Sequence, residues 1–132
     1  MKLAYVDTSC LVEAILAEAG AESLKLYLTS FERLFASNLL EAELRSALAR
    51  EGLRKSDFPI LTDITWVYPN RPLSAELQRV LAAGYLKGAD LWHLACALFL
   101  APDVGDLAFL TLDKKQNTVA AKLGFSTSLP IF

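Results

Sequence analysis

The chain has 132 residues, a formal net charge of −2, 54% apolar and 21% charged residues. One domain of roughly 150 residues accounts for that length, and the apolar share excludes a disordered chain. A sequence pI near 5.4 excludes a molecule drawn as a whole to nucleic acid or an anionic membrane, so any phosphate partner must be met by a local patch.

A single domain over residues 1–132 is expected, with a core large enough to need no disulfide or structural metal. Asp7 interrupts the first apolar run before it could serve as a signal-peptide core. The greasiest stretch, residues 94–101, falls far short of the ~20 residues that cross a bilayer. The expected compartment is therefore the cytoplasm. Cys10 and Cys96 lie inside apolar helical patterns, where a free thiol behaves as a small hydrophobe. With a lone histidine they make no Cys/His zinc site.

In chain order, residues 3–6 read as a buried strand ended by Asp7-Thr8-Ser9, with Ser9 or Thr8 as the natural N-cap of a helix. Leu11, Val12, Ile15 and Leu16 recur at helical spacing up to Gly20, and Leu24, Leu26, Tyr27, Leu28 and Phe31 carry a second helix. Residues 33–36 make a brief strand. Ser37 then caps a helix bearing Leu39, Leu40, Leu44, Ala47 and Leu48 on one side and ending near Gly52. Over residues 55–72, punctuated by Pro59, Pro69 and Pro72, the pattern predicts a short helix and then a strand. Ser74 caps a helix running to Gly84, and a very apolar helix over 89–100 carries Asp90 in its first turn. Residues 107–111 predict a buried strand ended by Asp113, residues 114–123 a helix stopped by Gly124, and 125–129 an edge strand. Strands separated by helices imply crossover connections. The fold class is α/β, a three-layer α/β/α sandwich around a mainly parallel sheet.

Asp7 and Asp113 fall just past the carboxyl ends of apolar strands, the edge where open parallel sheets bind ligands. Asp90 opens an apolar helix, and Glu43 lies mid-helix between Leu40, Leu44 and Ala47. Each acid alone has an ordinary explanation, a helix cap or a surface ion pair. Together, carboxylates on separate elements of one parallel sheet can converge only if something positive neutralises them. Mg²⁺ and Mn²⁺ take such oxygen ligands and keep several waters, and a site of that kind activates water for phosphoryl chemistry.

At these residues the chain resembles the PIN-domain ribonucleases and, among them, the VapC-type toxins of toxin–antitoxin pairs. The resemblance covers essentially the whole chain. It is carried by Tyr5-Val6-Asp7-Thr8-Ser9, by Ser37 through Glu43-Leu44-Arg45 to Ala49-Arg50, by Asp90-Leu91-Trp92-His93-Leu94-Ala95, and by Leu110-Thr111-Leu112-Asp113. What it implies is a PIN-like fold and Mg²⁺-dependent endonucleolytic cleavage of RNA, with Mn²⁺ able to substitute. On that resemblance Asp7, Glu43, Asp90 and Asp113 are the catalytic, metal-binding acids. Thr8, Ser9 and Thr111 steady the carboxylates, and Asn117 lines the same crevice. A small antitoxin is the implied protein partner, and the apolar excess points to a homodimer.

His93 matches a common family position, but its apolar helix favours a packed, hydrogen-bonded histidine over a general base. The segment 56–74 departs from the family pattern, being shorter and richer in proline. The negative overall charge demands a basic rim for RNA, for which Arg45, Arg50, Arg54, Lys55, Lys87, Lys114 and Lys115 are the candidates. Two alternatives compete: an RNA-maturation nuclease without antitoxin, and a noncatalytic, receiver-like regulatory module. The second is disfavoured, because only Asp7 stands at the first strand and an acid rather than a lysine follows the last one.

Overall fold

The computed structural model describes residues 2–16, 21–54 and 58–127. Strands β1 (Leu3–Val6), β2 (Arg33–Ser37), β3 (Ile64–Val67) and β4 (Ala108–Leu110) form one sheet in the order β3-β2-β1-β4, every neighbouring pair parallel. The helices are α1 (Thr8–Leu16), α2 (Ala21–Thr29), α3 (Leu39–Arg50), α4 (Ser74–Ala83), α5 (Gly88–Leu100) and α6 (Lys114–Leu123), with short 3₁₀ turns at Pro59–Asp63 and Val104–Asp106.

Because side chains alternate across a pleated strand, the sheet feeds two separate cores. Ala4, Val6, Leu34, Ala36 and Leu110 face Cys10, Leu11, Leu24, Leu28, Leu40, Leu44 and Leu48 from α1, α2 and α3. Tyr5, Val67 and Phe109 face the other way, onto Val80, Leu94, Ala97, Leu98 and Val119 from α4, α5 and α6. Right-handed crossovers account for the division. The chain steps from β1 through β2 to β3 with α1–α3 on one face. It then reverses to reach β4 on the far side of β1, which puts α4 and α5 on the opposite face. The expected three layers are present, and the reversal between β1 and β4 opens a crevice at the carboxyl ends of those two strands.

Several local expectations are corrected. Ser37 is the last residue of β2, and Asn38 takes the N-cap position of α3 without a side-chain capping bond. Ser74 is the first helical residue of α4, behind Leu73. At α1 the capping side chain is Asp7 itself, whose Oδ2 accepts the Ser9 N–H. In each case a small polar residue near a helix start was read as the cap, although strand pairing or tertiary bonds had already claimed it or moved the boundary. Over 125–127, strand character reduces to one parallel bridge between Ser126 and Ala108; Leu129, Gly20 and Lys55 lie outside the described residues. Gly124 ends α6 as expected, at a φ of 106° that only glycine adopts without strain.

Candidate active site

Asp7 follows directly from the central strand and is 5% exposed. Its N–H continues the β1–β4 ladder to the Leu110 carbonyl at 2.9 Å. Its Oδ2 accepts bonds from the Ser9 N–H at 3.3 Å, the Ser9 hydroxyl at 2.8 Å and the Thr111 hydroxyl at 3.2 Å. The capping explanation therefore holds for Asp7, yet it uses only one carboxylate oxygen.

Thr111, buried just past β4, ties the strand ends together. Its hydroxyl oxygen lies 2.7 Å from Gln116 Oε1 and accepts the Asp113 N–H at 3.1 Å. One proton cannot serve both Gln116 and Asp7, and the shorter contact is to Gln116. Asp113 caps α6 through Oδ1, which accepts the Gln116 N–H at 2.8 Å. The Gln116 side chain, fully buried, also donates to the Asp90 carbonyl at 3.3 Å, locking the first turns of α5 and α6 to each other. Gln116 was missed from sequence. The signal was Asp113-Lys114-Lys115-Gln116, an acid followed three residues later by Gln at a helix start.

Glu43 projects from α3 toward α5. Its Oε1 accepts the Thr8 hydroxyl at 2.9 Å and lies 2.6 Å from His93 Nε2. The other ring nitrogen of His93, Nδ1, is 3.0 Å from the Tyr5 hydroxyl, which accepts the Ser37 N–H at 3.1 Å. The His93 bond holds the Glu43 carboxyl below its ordinary value, against the opposing effect of burial and with help from Thr8. Tyr5 had no role of its own beyond its place in the first motif, although a tyrosine at a strand position buried on both faces must find its hydroxyl a partner.

Asp90 is half-buried, and its carboxylate has no hydrogen bond or ion pair among the described residues. Its pKa is raised first by burial, then by the charges of Asp7 and Asp113, with a smaller push from Glu43 and a counterpull from His93. Asp7, Glu43, Asp90 and Asp113 thus form one electrostatic cluster at the crevice. No Lys or Arg among the described residues pairs with Asp7, Asp90 or Asp113.

Residues 4–122 match the family model of the PIN domain. The chain belongs to the PIN-domain family. It is also 28% identical to Ribonuclease VapC46 of Mycobacterium tuberculosis (strain ATCC 25618 / H37Rv) over 132 residues, which cover 98% of this chain and 99% of the relative.

In this PIN domain the acid cluster suits a hard divalent cation. All the unbalanced donors are carboxylate oxygens. Among the described residues no three His, Cys, Asp or Glu side chains close into a ready-made cage. An ion such as Mg²⁺ asks for none, since it is held by one or two carboxylates and keeps its waters. Asn117 stands apart: its N–H makes an ordinary helical bond to the Asp113 carbonyl, and its side chain makes no hydrogen bond among the described residues.

The basic rim of the PIN domain is uneven. Arg45 is engaged with Glu41 at 2.7 Å and lies over the Phe58 ring. Arg50 shares an open groove on α3 with Ala42, Glu43, Ser46 and Ala47. Lys115, in the first turn of α6, sits 4.7 Å above the exposed Tyr85 ring. Arg54, Lys87 and Lys114 are exposed. No helix among the described residues is long and apolar enough to cross a membrane.

Proposed function

We propose that this PIN domain is an endoribonuclease that hydrolyses RNA phosphodiester bonds with Mg²⁺, or Mn²⁺ in its place, as the toxin of a toxin–antitoxin pair. The observation that carries this reading is the set of Asp7, Glu43, Asp90 and Asp113 at the β1–β4 crevice, where Asp90, with no ion-pair partner among the described residues, is held above its ordinary value by burial and by the charges of the other three acids. A cluster of that kind is expensive to maintain unless it binds a cation.

Asp7, Asp90 and Asp113 are the residues that would hold the ion, with Glu43 on a second ion or on the attacking water. When bound, a divalent ion supplies Lewis-acid stabilisation of the phosphoryl oxygens and a more acidic water. The chain's own part is positioning. Ser9 holds Asp7 through Oδ2, Thr8 holds Glu43, Thr111 holds Gln116, and Gln116 fixes the starts of α5 and α6 relative to each other. Arg50 and Lys115 are placed to meet the RNA backbone, and Tyr85 beside Lys115 offers a face on which an unpaired base can stack. A small inhibitory antitoxin and a homodimeric state are proposed on the family resemblance. A cytoplasmic location accords with two free, buried thiols.

The deciding experiment compares wild type with Asp7→Asn on structured and single-stranded RNA in Mg²⁺, Mn²⁺ and EDTA. Cleavage is expected only with both the ion and Asp7. Ion-independent cleavage, or cleavage that survives in Asp7→Asn, refutes the site assignment. No cleavage by wild type under any condition favours a binding module.

A further inference from the structure

We infer that Tyr85 and Lys115 form a nucleotide subsite at the rim of the acid crevice, where an unpaired base stacks on the open face of Tyr85 and the Lys115 ammonium meets that nucleotide's phosphate. The inference deepens the nuclease reading and rests on it for the choice of RNA as ligand.

The packing of the loop between α4 and α5 puts Tyr85 in place. Gly84 closes α4, its N–H bonded to the Val80 carbonyl at 3.1 Å. It lies so close to α6 that an added Cβ would come 2.8 Å from Val119 Cγ2. On the other side of Tyr85, Leu86 is buried in the core shared by α4, α5 and α6. Between these two anchors Tyr85 is left 66% exposed. Val119 and Lys115 are four residues apart on α6 and share a face. The loop thus climbs α6 by one turn, from Gly84 against Val119 to Tyr85 beneath Lys115, toward the end of the helix that Asp113 caps. Gln116, next to Lys115, binds the Asp90 carbonyl, so the ring is held at a fixed place relative to two of the site's acids.

Little of either side chain is accounted for by the fold. The Tyr85 hydroxyl makes no hydrogen bond among the described residues. A lysine in the first turn of a helix stands against its dipole, and Lys115 makes no ion pair among the described residues. Its Nζ lies 4.7 Å from the centre of the Tyr85 ring, covering one face and leaving the other open. An aromatic face beside a cation is the combination that tracks single-stranded nucleic acid: the ring takes a base whatever its identity, and the cation takes the backbone. A phosphate gives the ammonium the anion that no carboxylate of the chain supplies.

The probe is a short single-stranded RNA, intact or with an abasic nucleotide placed at each position in turn. Tyr85→Ala is expected to raise KM for cleavage about 5- to 100-fold, the worth of one stacked base, with kcat unchanged. Tyr85→Phe, which keeps the ring, is expected to restore the wild-type KM, and Tyr68→Ala, which removes another exposed tyrosine, to leave it alone. One abasic position is expected to lose as much as Tyr85→Ala does, and Tyr85→Ala to lose nothing more on that RNA. Lys115→Met is expected to lower the slope of log KM against log salt by about 0.7, one phosphate contact on a single strand. An unchanged KM in Tyr85→Ala overturns the inference, as do losses that add at every abasic position or a salt slope unchanged in Lys115→Met. If Tyr85→Ala sediments as a smaller species than wild type and keeps its KM, the face belongs to a second copy of the chain and the inference falls. If wild type cleaves nothing, fluorescence anisotropy of the labelled RNA in EDTA compares the same variants. Weaker binding by Tyr85→Ala then supports the subsite and overturns the nuclease reading, and no binding by wild type overturns both.

Discussion

Thr111→Val isolates the hydroxyl that joins the strand ends, because valine keeps the β-branched shape and the packing while removing one oxygen. Four groups lose a contact, and they differ in what replaces it; the Ser9 hydroxyl, 3.4 Å away, keeps Asp7 and the Leu112 N–H. Asp113 is exposed, so water can take over its N–H. Asp7 Oδ2 keeps both donors from Ser9. Gln116 is fully buried, and its Oε1 is left without a donor. One buried unsatisfied acceptor costs about 1–3 kcal/mol, so about 2 kcal/mol is expected. For a chain of this size that is a fall of about 8 °C in Tm. Thr111→Ser keeps the hydroxyl and should lose only about 1 kcal/mol, for the missing methyl. Thr29→Val, which removes an exposed hydroxyl bonded to the Leu26 carbonyl at 3.0 Å, should stay within about 0.5 kcal/mol of wild type. Urea unfolding of the four proteins in EDTA supplies the comparison, with RNA cleavage as a second readout in which only Thr111→Val should lose about 10- to 100-fold. The reasoning is wrong if Thr111→Val unfolds with the Thr29→Val control, or if Thr111→Ser is as damaging as Thr111→Val.

The two perturbed acids of the site should respond to pH in opposite directions. Asp90 is raised above 3.8 by burial and by its acidic neighbours, so its ionised form costs stability at neutral pH and the cost fades as pH falls through the raised value. Asp90→Asn should therefore stabilise the metal-free protein at about pH 7, by a margin that closes near about pH 3.5, while abolishing cleavage; a lower urea midpoint for the variant at neutral pH would contradict this. Glu43 is depressed below 4.5, mainly by the His93 bond. Its contribution is present above that value and lost as pH falls through the depressed one, so Glu43→Gln should destabilise at neutral pH and matter little in acid. Burial holds both thiols up at about 12. Neither Cys10 nor Cys96 should react with a disulfide reagent at about pH 8 until the protein unfolds; rapid labelling of native protein would show that one is accessible.

Local pattern and punctuation determined much of this protein. The period of the apolar residues located the strands and helices, their alternation implied the three layers, and Asp7 and Asp113 stood out because they follow apolar strands, whereas Glu43 and Asp90 joined them through the resemblance of their short motifs to the PIN family. Those signals lie within one element and its ends, where propensity and burial act residue by residue. Only the tertiary structure decided how the acids are held. Tyr5 and His93 are 88 residues apart, and Thr111 reaches Asp7 across 104. Such contacts depend on the order β3-β2-β1-β4 and on the register that sets Tyr5 beside Phe109, neither of which leaves a periodicity to read. The same holds for Ser37 and Gln116. A short polar side chain near a helix start satisfies a local cap in the sequence, but buried hydrogen-bonding groups take whichever partner the folded chain brings within reach.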